Sequence, residues 1–302
     1  MDEPKKKSRS LVSAAVLVAG GVGLLRVARD RFQHRQLFVP DRFPNGVWNP
    51  AAFGLPAEDV WFRSEDGEEL HGWWIPHRRA RGTVLYCHGN TGSLAHQIGD
   101  LRYLRRLGVN LFAFDYRGYG RSTGKPTEEG LYRDVRAAYG YLRQTVGIGW
   151  RQILLFGHSL GGAVAIDAAT ECPAAGLVAQ ATFTDVRDAA RGIFPSLPVH
   201  LAARRQFRSI DKVGRLELPV LFVHGEEDGT LPPELGRRLH EAAAEPKGLY
   251  LIPNAGHNDL HRHGGWRYLR RLSRFRTRCI KTAQGRQRPL WLSPSAAESP
   301  GG

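Results

Sequence analysis

Gly157-His158-Ser159-Leu160-Gly161-Gly162 lies between the apolar run Ile153-Leu154-Leu155-Phe156 and the helix-compatible run Ala163-Val164-Ala165-Ile166. This order predicts a buried strand that enters a helix through a sharp turn centred on Ser159. In such a turn the serine hydroxyl stands clear of the sheet, and the flanking glycines let backbone segments approach closely. The same sequence pattern also fits a glycine-rich turn whose serine only caps the helix. The presence of an acid and a base for Ser159 decides between a nucleophile and a capping residue.

A nucleophilic serine needs a base that takes its proton and an acid that orients the base. After a strand-turn-helix of this kind the chain order is Ser, then acid, then His. Pro219-Val220-Leu221-Phe222-Val223 is predicted to be a strand that enters the acid-rich turn 224–229, and the predicted strand 249–253 enters the turn 254–259. Side chains that follow parallel strands converge at one edge of the sheet.

His257 is the predicted base because it follows the last strand and a glycine. His261 and His263 lie in the next segment, which is typical of an exposed helix. His158 is expected to point away from Ser159, and His224 to pack or bond locally.

Asp228 is the predicted acid. Its short side chain suits a fixed bond to an imidazole, and Gly229 allows the turn to close. Glu226 and Glu227 lie in the same turn and compete for the role.

Backbone N–H groups must also face the charge that develops on the substrate oxygen. Thr83-Val84-Leu85-Tyr86-Cys87 is predicted to be a buried strand that ends in His88-Gly89-Asn90-Thr91-Gly92. The predicted donors are the amides of Leu160, directly after the nucleophile, and of Asn90, on the loop after that strand. His88 is expected to be structural, and the Asn90 side chain could instead cap the next helix.

Neither a nucleotide site nor a metal site is predicted. The stretch 118–125 is similar to a phosphate loop, but Tyr119 breaks the required glycine spacing and Pro126 replaces the hydroxyl residue that would meet magnesium. The three cysteines lie far apart, with no C-x-x-C pair. They are Cys87, Cys172 and Cys279.

Apolar runs alternate with helix-compatible segments, which predicts an α/β protein with a mainly parallel central sheet and helices on both faces. Helices are predicted near residues 93–107, 128–145, 160–170, 233–244 and 258–275. The segments 59–63 and 70–75 are predicted to open the sheet as antiparallel strands. With 302 residues, 42% of them hydrophobic, the chain can form one large domain with terminal extensions.

These motifs in this order resemble the α/β-hydrolase superfamily. The stretch 111–122 looks like the strand and loop that follow the oxyanion strand there, with Asp115 and Arg117 as structural bonding residues. Together with the stretches 36–42, 126–131 and 256–259, it is similar to membrane-anchored α/β-hydrolase domain-containing proteins related to depalmitoylases and to the serine-aminopeptidase-like branch. The resemblance covers roughly residues 36–275.

The resemblance implies an α/β-hydrolase fold with a short lid within residues 185–207, although an ordinary surface helix fits that segment equally well. Three parts are expected. Residues 1–35 form a basic N-terminus with a hydrophobic anchor or signal segment, and residues 36–275 form the catalytic domain. Residues 276–302 form a basic, then Pro/Ser/Gly-rich, disordered tail.

The net charge of +14 is confined to the ends of the chain. Residues 1–35 carry +5, residues 36–261 carry 0, and residues 262–302 carry +9. From Arg262 to Arg288 there is no acid, and aromatic and leucine side chains are interleaved with the arginines. This composition suits an anionic membrane surface. A solvated tail fits nearly as well, and nucleic-acid binding is disfavoured.

The N-terminus also indicates membrane association. Lys5-Lys6-Lys7-Ser8-Arg9 precedes an uncharged stretch that ends before Arg26. The apolar segment 11–25 would extend only about 22 Å as a helix, short of a hydrocarbon core of about 30 Å, so a span would need Arg26 to snorkel. A single uncleaved anchor is expected, and a secretory signal of a secreted or periplasmic protein is the alternative.

The sequence therefore predicts a serine hydrolase that cleaves carboxylic esters or thioesters of a small or lipid-like acyl substrate through an acyl-enzyme, without a cofactor. The catalytic residues would be Ser159, Asp228 and His257, with Asn90 and Leu160 in the oxyanion hole. One alternative is a serine peptidase of the aminopeptidase-like branch, although no acidic cluster for a substrate amine is evident. The other is a non-catalytic, membrane-tethered interaction protein.

Overall fold

The computed structural model describes residues 30–193, 196 and 203–285. The central sheet has eight strands, in the spatial order β1-β2-β4-β3-β5-β6-β7-β8. They are β1 (Glu58–Arg63), β2 (Glu69–Ile75), β3 (Thr83–Cys87), β4 (Asn110–Phe114), β5 (Ile153–His158), β6 (Gly176–Gln180), β7 (Val220–Gly225) and β8 (Lys247–Ile252). Only β2 runs against its neighbours, and all other pairs from β4 to β8 are parallel. The predicted mainly parallel sheet is confirmed.

Helices cover both faces of this sheet. A helical segment occupies residues 30–37. The later α-helices are α1 (Ile98–Arg105), α2 (Glu128–Gly140), α3 (Leu160–Glu171), α4 (Val186–Ile193), α5 (Pro233–Ala242) and α6 (Leu260–Gln284). Short helical turns lie at Pro50–Phe53, Leu94–His96, Tyr141–Thr145, Trp150–Gln152, Ser209–Asp211 and Val213–Arg215, and a two-residue strand at Val39–Pro40 pairs with Thr91–Gly92.

The central strands are apolar throughout because both of their faces are buried. Every residue of β3, β5, β6 and β7 is buried. Successive side chains enter opposite cores: Leu85 and Leu155 belong to one hydrophobic cluster, and Val84 and Leu154 to the other. The carboxyl ends of these strands therefore present their loops along one rigid edge.

Helix α6 is longer than the sequence predicted. After a kink at Gly265, where φ is 46° and ψ is −137°, it continues to Gln284, and Cys279 and Ala283 are buried. The predicted helix end near residue 275 is therefore wrong, and the packed part of the chain extends past the residue where a disordered tail was expected to begin. About one residue per turn of this helix is buried, and the residues between them include many exposed arginines. A prediction from the basic composition of the segment does not detect such a narrow buried stripe.

The predicted N-terminal anchor, residues 11–25, lies outside the described residues, so that expectation stays a prediction. Across residues 30–193 and 203–285, none of the helices is long and apolar enough to cross a membrane.

Candidate active site

Ser159 occupies a strained turn between β5 and α3. Its backbone angles are φ 55° and ψ −120°, a region that non-glycine residues rarely adopt and that marks functional sites. The backbone N–H of Ser159 donates to the carbonyl of Gln180 at 2.9 Å. The Thr182 hydroxyl donates to the Ser159 carbonyl at 2.8 Å. The neighbouring strand β6 and the loop after it thus hold the strained residue in place.

The glycines around Ser159 are required by close backbone contacts. A Cβ atom on Gly157 would lie 2.0 Å from the carbonyl oxygen of Gly161, and a Cβ atom on Gly161 would lie 2.0 Å from that of Cys87. Strand β5, helix α3 and the end of β3 therefore meet without room for a side chain. This is the physical reason for the glycine spacing noted in the sequence.

The three predicted catalytic side chains lie in one hydrogen-bonded series. His257 Nε2 lies 3.0 Å from Ser159 Oγ, and His257 Nδ1 lies 2.7 Å from Asp228 Oδ2. An ionised carboxylate only accepts hydrogen bonds, so Nδ1 carries the imidazole proton. Nε2 is then the acceptor that faces the Ser159 hydroxyl.

Asp228 is fixed on both of its oxygens. Oδ1 accepts from the backbone N–H groups of Thr230 and Leu231 at 2.9 and 2.8 Å. Oδ2 also lies 3.2 Å from His224 Nε2. Burial raises the pKa of Asp228, but the hydrogen bonds from His224 and His257 outweigh it and hold the pKa well below its usual range. The carboxylate is therefore ionised at neutral pH.

The loop after β7 distinguishes Asp228 from the two competing glutamates, and it brings a second histidine to the acid. The competing side chains Glu226 and Glu227 are exposed, whereas Asp228 reaches His257. His224 bonds locally, as expected, since its Nε2 lies 2.9 Å from the carbonyl oxygen of Leu231. Its additional contact with the acid was not predicted, because it depends on the path of the loop back towards β7.

The loop after β3 passes beside the nucleophile. A Cβ atom on Gly89 would lie 3.6 Å from Ser159 Cβ, which brings Asn90 next to the serine. Leu160 is the first residue of α3, so its N–H has no acceptor within the helix and lies at the positive end of the helix dipole. Asn90 Nδ2 donates to the carbonyl of Gln36 at 3.4 Å; its side chain therefore ties the loop to the N-terminal segment instead of capping a helix.

His88, Asp115 and Arg117 make structural contacts. His88 is fully buried and its Nδ1 donates to the Gly89 carbonyl at 2.7 Å; burial lowers the pKa of His88. Asp115 accepts from the N–H of Leu94 at 2.8 Å. Arg117 pairs with the carboxylates of Asp66 and Asp134 at 2.7 Å each. These contacts fix the loops that follow β3 and β4.

His158 is a neighbour of His257 that the sequence did not indicate. The two imidazole centroids lie 5.2 Å apart. Gln180 Nε2 donates to His158 Nδ1 at 3.1 Å, and His158 Nε2 donates to Asn258 Oδ1 at 3.3 Å. Burial, then the proximity of His257, lowers the pKa of His158 to about 4. In the sequence, the one indication of this contact was that a titratable residue directly precedes the nucleophile.

A cavity of about 860 Å³ opens in front of Ser159, a volume that suits a small-molecule ligand. Its apolar wall is supplied mainly by α4 and the loops after β6 and β7. The side chains of this wall are Phe183, Val186, Ala189, Ala190, Ile193 and Leu231. The predicted lid segment therefore includes a helix that lines the cavity; residues 194–195 and 197–202 lie outside the described residues.

A second wall comes from the N-terminal helical segment, which supplies Phe32, Gln33, Gln36 and Leu37. Gln33 Nε2 donates to Gln206 Oε1 at 2.7 Å, and Gln33 Oε1 accepts from the N–H of Arg204 at 2.8 Å. Residues on both sides of the boundary predicted after residue 35 contribute to this wall. The contacts join residues more than 170 positions apart, so no local pattern could reveal them.

A third wall is polar and comes from the start of α1 and the start of α6. Its side chains include His96, Gln97, Asp100, Asn258, His261 and Arg262. Asp100 Oδ1 lies 3.1 Å from His261 Nδ1, and Asp100 Oδ2 accepts from the Tyr86 hydroxyl at 3.3 Å. Burial raises the pKa of Asp100, but the bond from His261 and nearby imidazoles outweigh it and lower the pKa. Among the residues with described placement, no group of three or more His, Cys, Asp or Glu side chains could hold a metal ion.

Comparison with known proteins extends these observations. The family described as serine aminopeptidase, S33 matches residues 78–208, which include the nucleophile turn. The uncharacterized protein Rv2307c of Mycobacterium tuberculosis is 36% identical over 277 residues, covering 90% of this chain and 96% of that protein. The alpha/beta hydrolase domain-containing protein WAV2 of Arabidopsis thaliana is 32% identical over 276 residues, covering 82% and 87%.

Solved structures share the fold. An esterase from Pyrococcus furiosus superposes with a TM-score of 0.68 at 24% identity, covering 80% of this chain and 98% of that one. An alpha-beta hydrolase from Vibrio vulnificus superposes with a TM-score of 0.63 at 25% identity, covering 74% and 82%. The fold of this chain is thus shared with a solved esterase and a solved alpha-beta hydrolase.

Proposed function

Since this chain belongs to the α/β-hydrolase superfamily and is a hydrolase, we propose that it cleaves carboxylic esters or thioesters with Ser159 as the nucleophile. One observation carries the proposal: the hydrogen-bonded series from Ser159 through His257 to Asp228, at the floor of a largely apolar cavity. Acyl transfer needs a hydroxyl nucleophile, an imidazole whose acceptor nitrogen faces that hydroxyl, and a buried carboxylate that orients the imidazole.

Acylation begins when Ser159 Oγ attacks the carbonyl carbon of the substrate while His257 Nε2 takes the hydroxyl proton. The carbonyl oxygen becomes an oxyanion, which accepts hydrogen bonds from the N–H groups of Asn90 and Leu160. As the tetrahedral intermediate collapses, the bond to the leaving oxygen or sulfur breaks. His257 then gives its proton to that atom, and an acyl-enzyme remains.

Deacylation repeats these steps with water in place of Ser159. His257 removes a proton from the water, the hydroxide attacks the acyl carbonyl, and Ser159 leaves with a proton from His257. Asp228 stays ionised throughout, holds the proton on His257 Nδ1 and stabilises the imidazolium. The apolar wall on α4 receives the acyl chain, because burial of methylene groups there is favourable.

The peptidase alternative is less well supported. An enzyme that removes N-terminal residues needs a free acceptor for the substrate ammonium group. In the cavity, Asp100 already bonds to His261 and Tyr86, and the exposed guanidinium of Arg262 on the same wall would repel an ammonium ion.

Contact with an anionic membrane surface is a further part of the proposal. Helix α6 exposes seven Lys and Arg side chains, and no carboxylate of the described residues lies within salt-bridge distance of them. They are Arg262, Arg267, Arg270, Arg271, Arg274, Arg278 and Lys281. Trp266, which is 62% exposed, lies among them. Basic side chains interleaved with an exposed indole suit anionic headgroups.

The proposal is tested by labelling purified protein with a fluorophosphonate probe. Wild type and a Ser273→Ala control on α6 are expected to be labelled, and Ser159→Ala is not. A p-nitrophenyl ester series of increasing acyl length then measures turnover, with an acyl thioester in parallel. Labelling that persists in folded Ser159→Ala, or absence of turnover in wild type, would overturn the proposal and favour a non-catalytic interaction protein.

A further inference from the structure

The polar wall of the cavity carries polar and charged side chains that have no role in the proposed hydrolytic steps. We propose that it is a subsite for a leaving group that carries an anionic phosphate or carboxylate, bound by Arg262. This inference rests on the proposed hydrolase function, because it concerns the alcohol or thiol half of the same substrate.

The position of the wall assigns it to the leaving group. His257 must protonate the leaving atom, so the leaving group has to lie against His257. Asn258, His261 and Arg262 follow His257 directly along the chain and line the same cavity. The apolar side chains of α4 and Leu231 form a different wall, which leaves that side for the acyl chain.

Arg262 is the charged group that this wall offers to a ligand. Arg262 lines the cavity and is exposed. Within the described part of the chain, no carboxylate lies within salt-bridge distance of it. A guanidinium group binds carboxylate or phosphate through two parallel hydrogen bonds, and such charge-assisted bonds are about twice as strong as neutral ones.

Among the described residues that line this wall, Asp100 is the one carboxylate, and its oxygens are already hydrogen-bonded. Asp100 bonds to His261 at 3.1 Å and to the Tyr86 hydroxyl at 3.3 Å, and its side chain is 27% exposed. An anionic ligand therefore meets a paired carboxylate and an unpaired guanidinium. A cationic ligand would meet the same guanidinium beside a carboxylate that already has two hydrogen-bond partners, so the wall favours an anion.

The surroundings add to this preference. From Leu260 to Gln284, helix α6 contains no acidic residue, and exposed basic side chains lie on both sides of its kink at Gly265. Charges of one sign near a cleft raise the local concentration of ligands of opposite sign. Salt screens this attraction, since the Debye length is about 10 Å at 0.1 M ionic strength.

The test compares matched ester pairs that differ only in the charge of the leaving group. One pair is water-soluble: p-nitrophenyl butanoate and its analogue with a carboxylate on the ring. The other pair is micellar: a monoacylglycerol and the acylglycerol phosphate with the same chain. For each pair, the ratio of kcat/KM for the anionic to the neutral ester is measured in wild type, Arg262→Gln and the control Arg267→Gln, an exposed arginine on the same helix.

Arg262→Gln is expected to lower this ratio by about 10-fold through KM, as loss of a hydrogen bond to a charged group predicts. Arg267→Gln, which lies outside the cavity lining, is expected to leave the ratio of the water-soluble pair unchanged. A fall in both pairs supports recognition of any anionic leaving group, and a fall in the micellar pair alone assigns the subsite to a phospholipid headgroup. An unchanged ratio in Arg262→Gln, or an equal fall in Arg267→Gln, overturns the subsite. Wild type that hydrolyses none of the four esters overturns the proposed function instead.

Discussion

The imidazoles of His158 and His257 lie 5.2 Å apart and carry their protons on different nitrogens. Asp228 holds the proton of His257 on Nδ1. In His158, Nδ1 accepts from Gln180, so the proton is on Nε2 and points to Asn258. His158 therefore buttresses the residue that follows His257 and, as a neutral ring, does not repel the imidazolium that forms during acyl transfer.

This arrangement predicts a loss of stability in mild acid. The pKa of His158 is about 4 in the folded protein, below about 6.5 in an unfolded chain. Between these values the unfolded state binds more protons, so stability falls as pH decreases through this window. By pH 5 the contribution is a loss of about 2 kcal/mol relative to pH 7.

The measurement is urea unfolding of wild type and His158→Gln at both pH values. The variant is expected to lose about 2 kcal/mol less between pH 7 and pH 5 than wild type does. Equal losses in the two proteins would show that His158 titrates normally in the folded state.

Asp228→Asn is expected to lower kcat by about 10⁴-fold, the magnitude known for the orienting acid of a serine protease. An amide can donate a hydrogen bond to Nδ1, which stabilises the wrong imidazole tautomer. Glu227→Gln is the matched control, because Glu227 is its exposed neighbour. Steady-state turnover of a p-nitrophenyl ester decides the matter: a loss in Glu227→Gln alone would move the role of the acid to that residue.

Gly161→Ala is expected to destabilise the protein by about 3 kcal/mol or more, because the new methyl group would lie 2.0 Å from the carbonyl oxygen of Cys87. Gly229→Ala serves as control, since a Cβ atom there meets nothing within 4 Å. Thermal unfolding followed by circular dichroism compares the two. Equal melting temperatures would mean that the junction of β3, β5 and α3 can relax without cost.

Much of the fold could be predicted because its signals are local. The apolar runs of β3, β5, β6 and β7 indicate buried parallel strands, and the glycines around Ser159 mark the tight turn between β5 and α3. The order Ser159, Asp228, His257 was predicted from position after strand ends, and the structure brings the three side chains together. Parallel strands place successive loops at one edge, so short motifs suffice for this much.

The remaining features depend on contacts between distant parts of the chain. Nothing in the sequence near residue 33 indicates its bond to residue 206, so the boundary predicted after residue 35 took no account of this contact. The second histidine on Asp228, His224, requires a loop that folds back on its own strand. The pairing of Asp100 with His261 joins α1 to α6 across 161 residues of sequence, and it occupies the carboxylate of the polar wall.

The apolar wall predicts how acyl length can be altered. Ala189 is 7% exposed and lines the cavity on α4. Ala189→Phe is expected to fill the space that a long acyl chain needs, so the preferred ester becomes shorter while acetate turnover is retained. The control is Ala80→Phe, in an exposed turn. A p-nitrophenyl ester series gives the profile; an unchanged profile in Ala189→Phe would place the acyl chain elsewhere.

Two truncations distinguish a role of the N-terminal region in membrane binding from its role as a wall of the cavity. Removal of residues 1–29 leaves Asp30 and Gln33, whose bonds to Arg204 and Gln206 secure the second wall. We expect this variant to retain turnover of a soluble ester and to lose part of its binding to anionic liposomes. Removal of residues 1–37 also deletes Phe32 and Leu37 from the cavity, so it is expected to raise KM for long-chain esters as well.

Liposome co-sedimentation and ester kinetics on the same preparations distinguish the two effects. Full binding by both variants would assign the membrane contact to the basic face of α6, which charge-reversing substitutions at Arg270 and Arg274 then test. Equal kinetics in the two variants would contradict the second wall, because the only described cavity residues that differ between them belong to the segment 30–37. Retention on duplex DNA at physiological salt would show instead that the cationic helix binds nucleic acid.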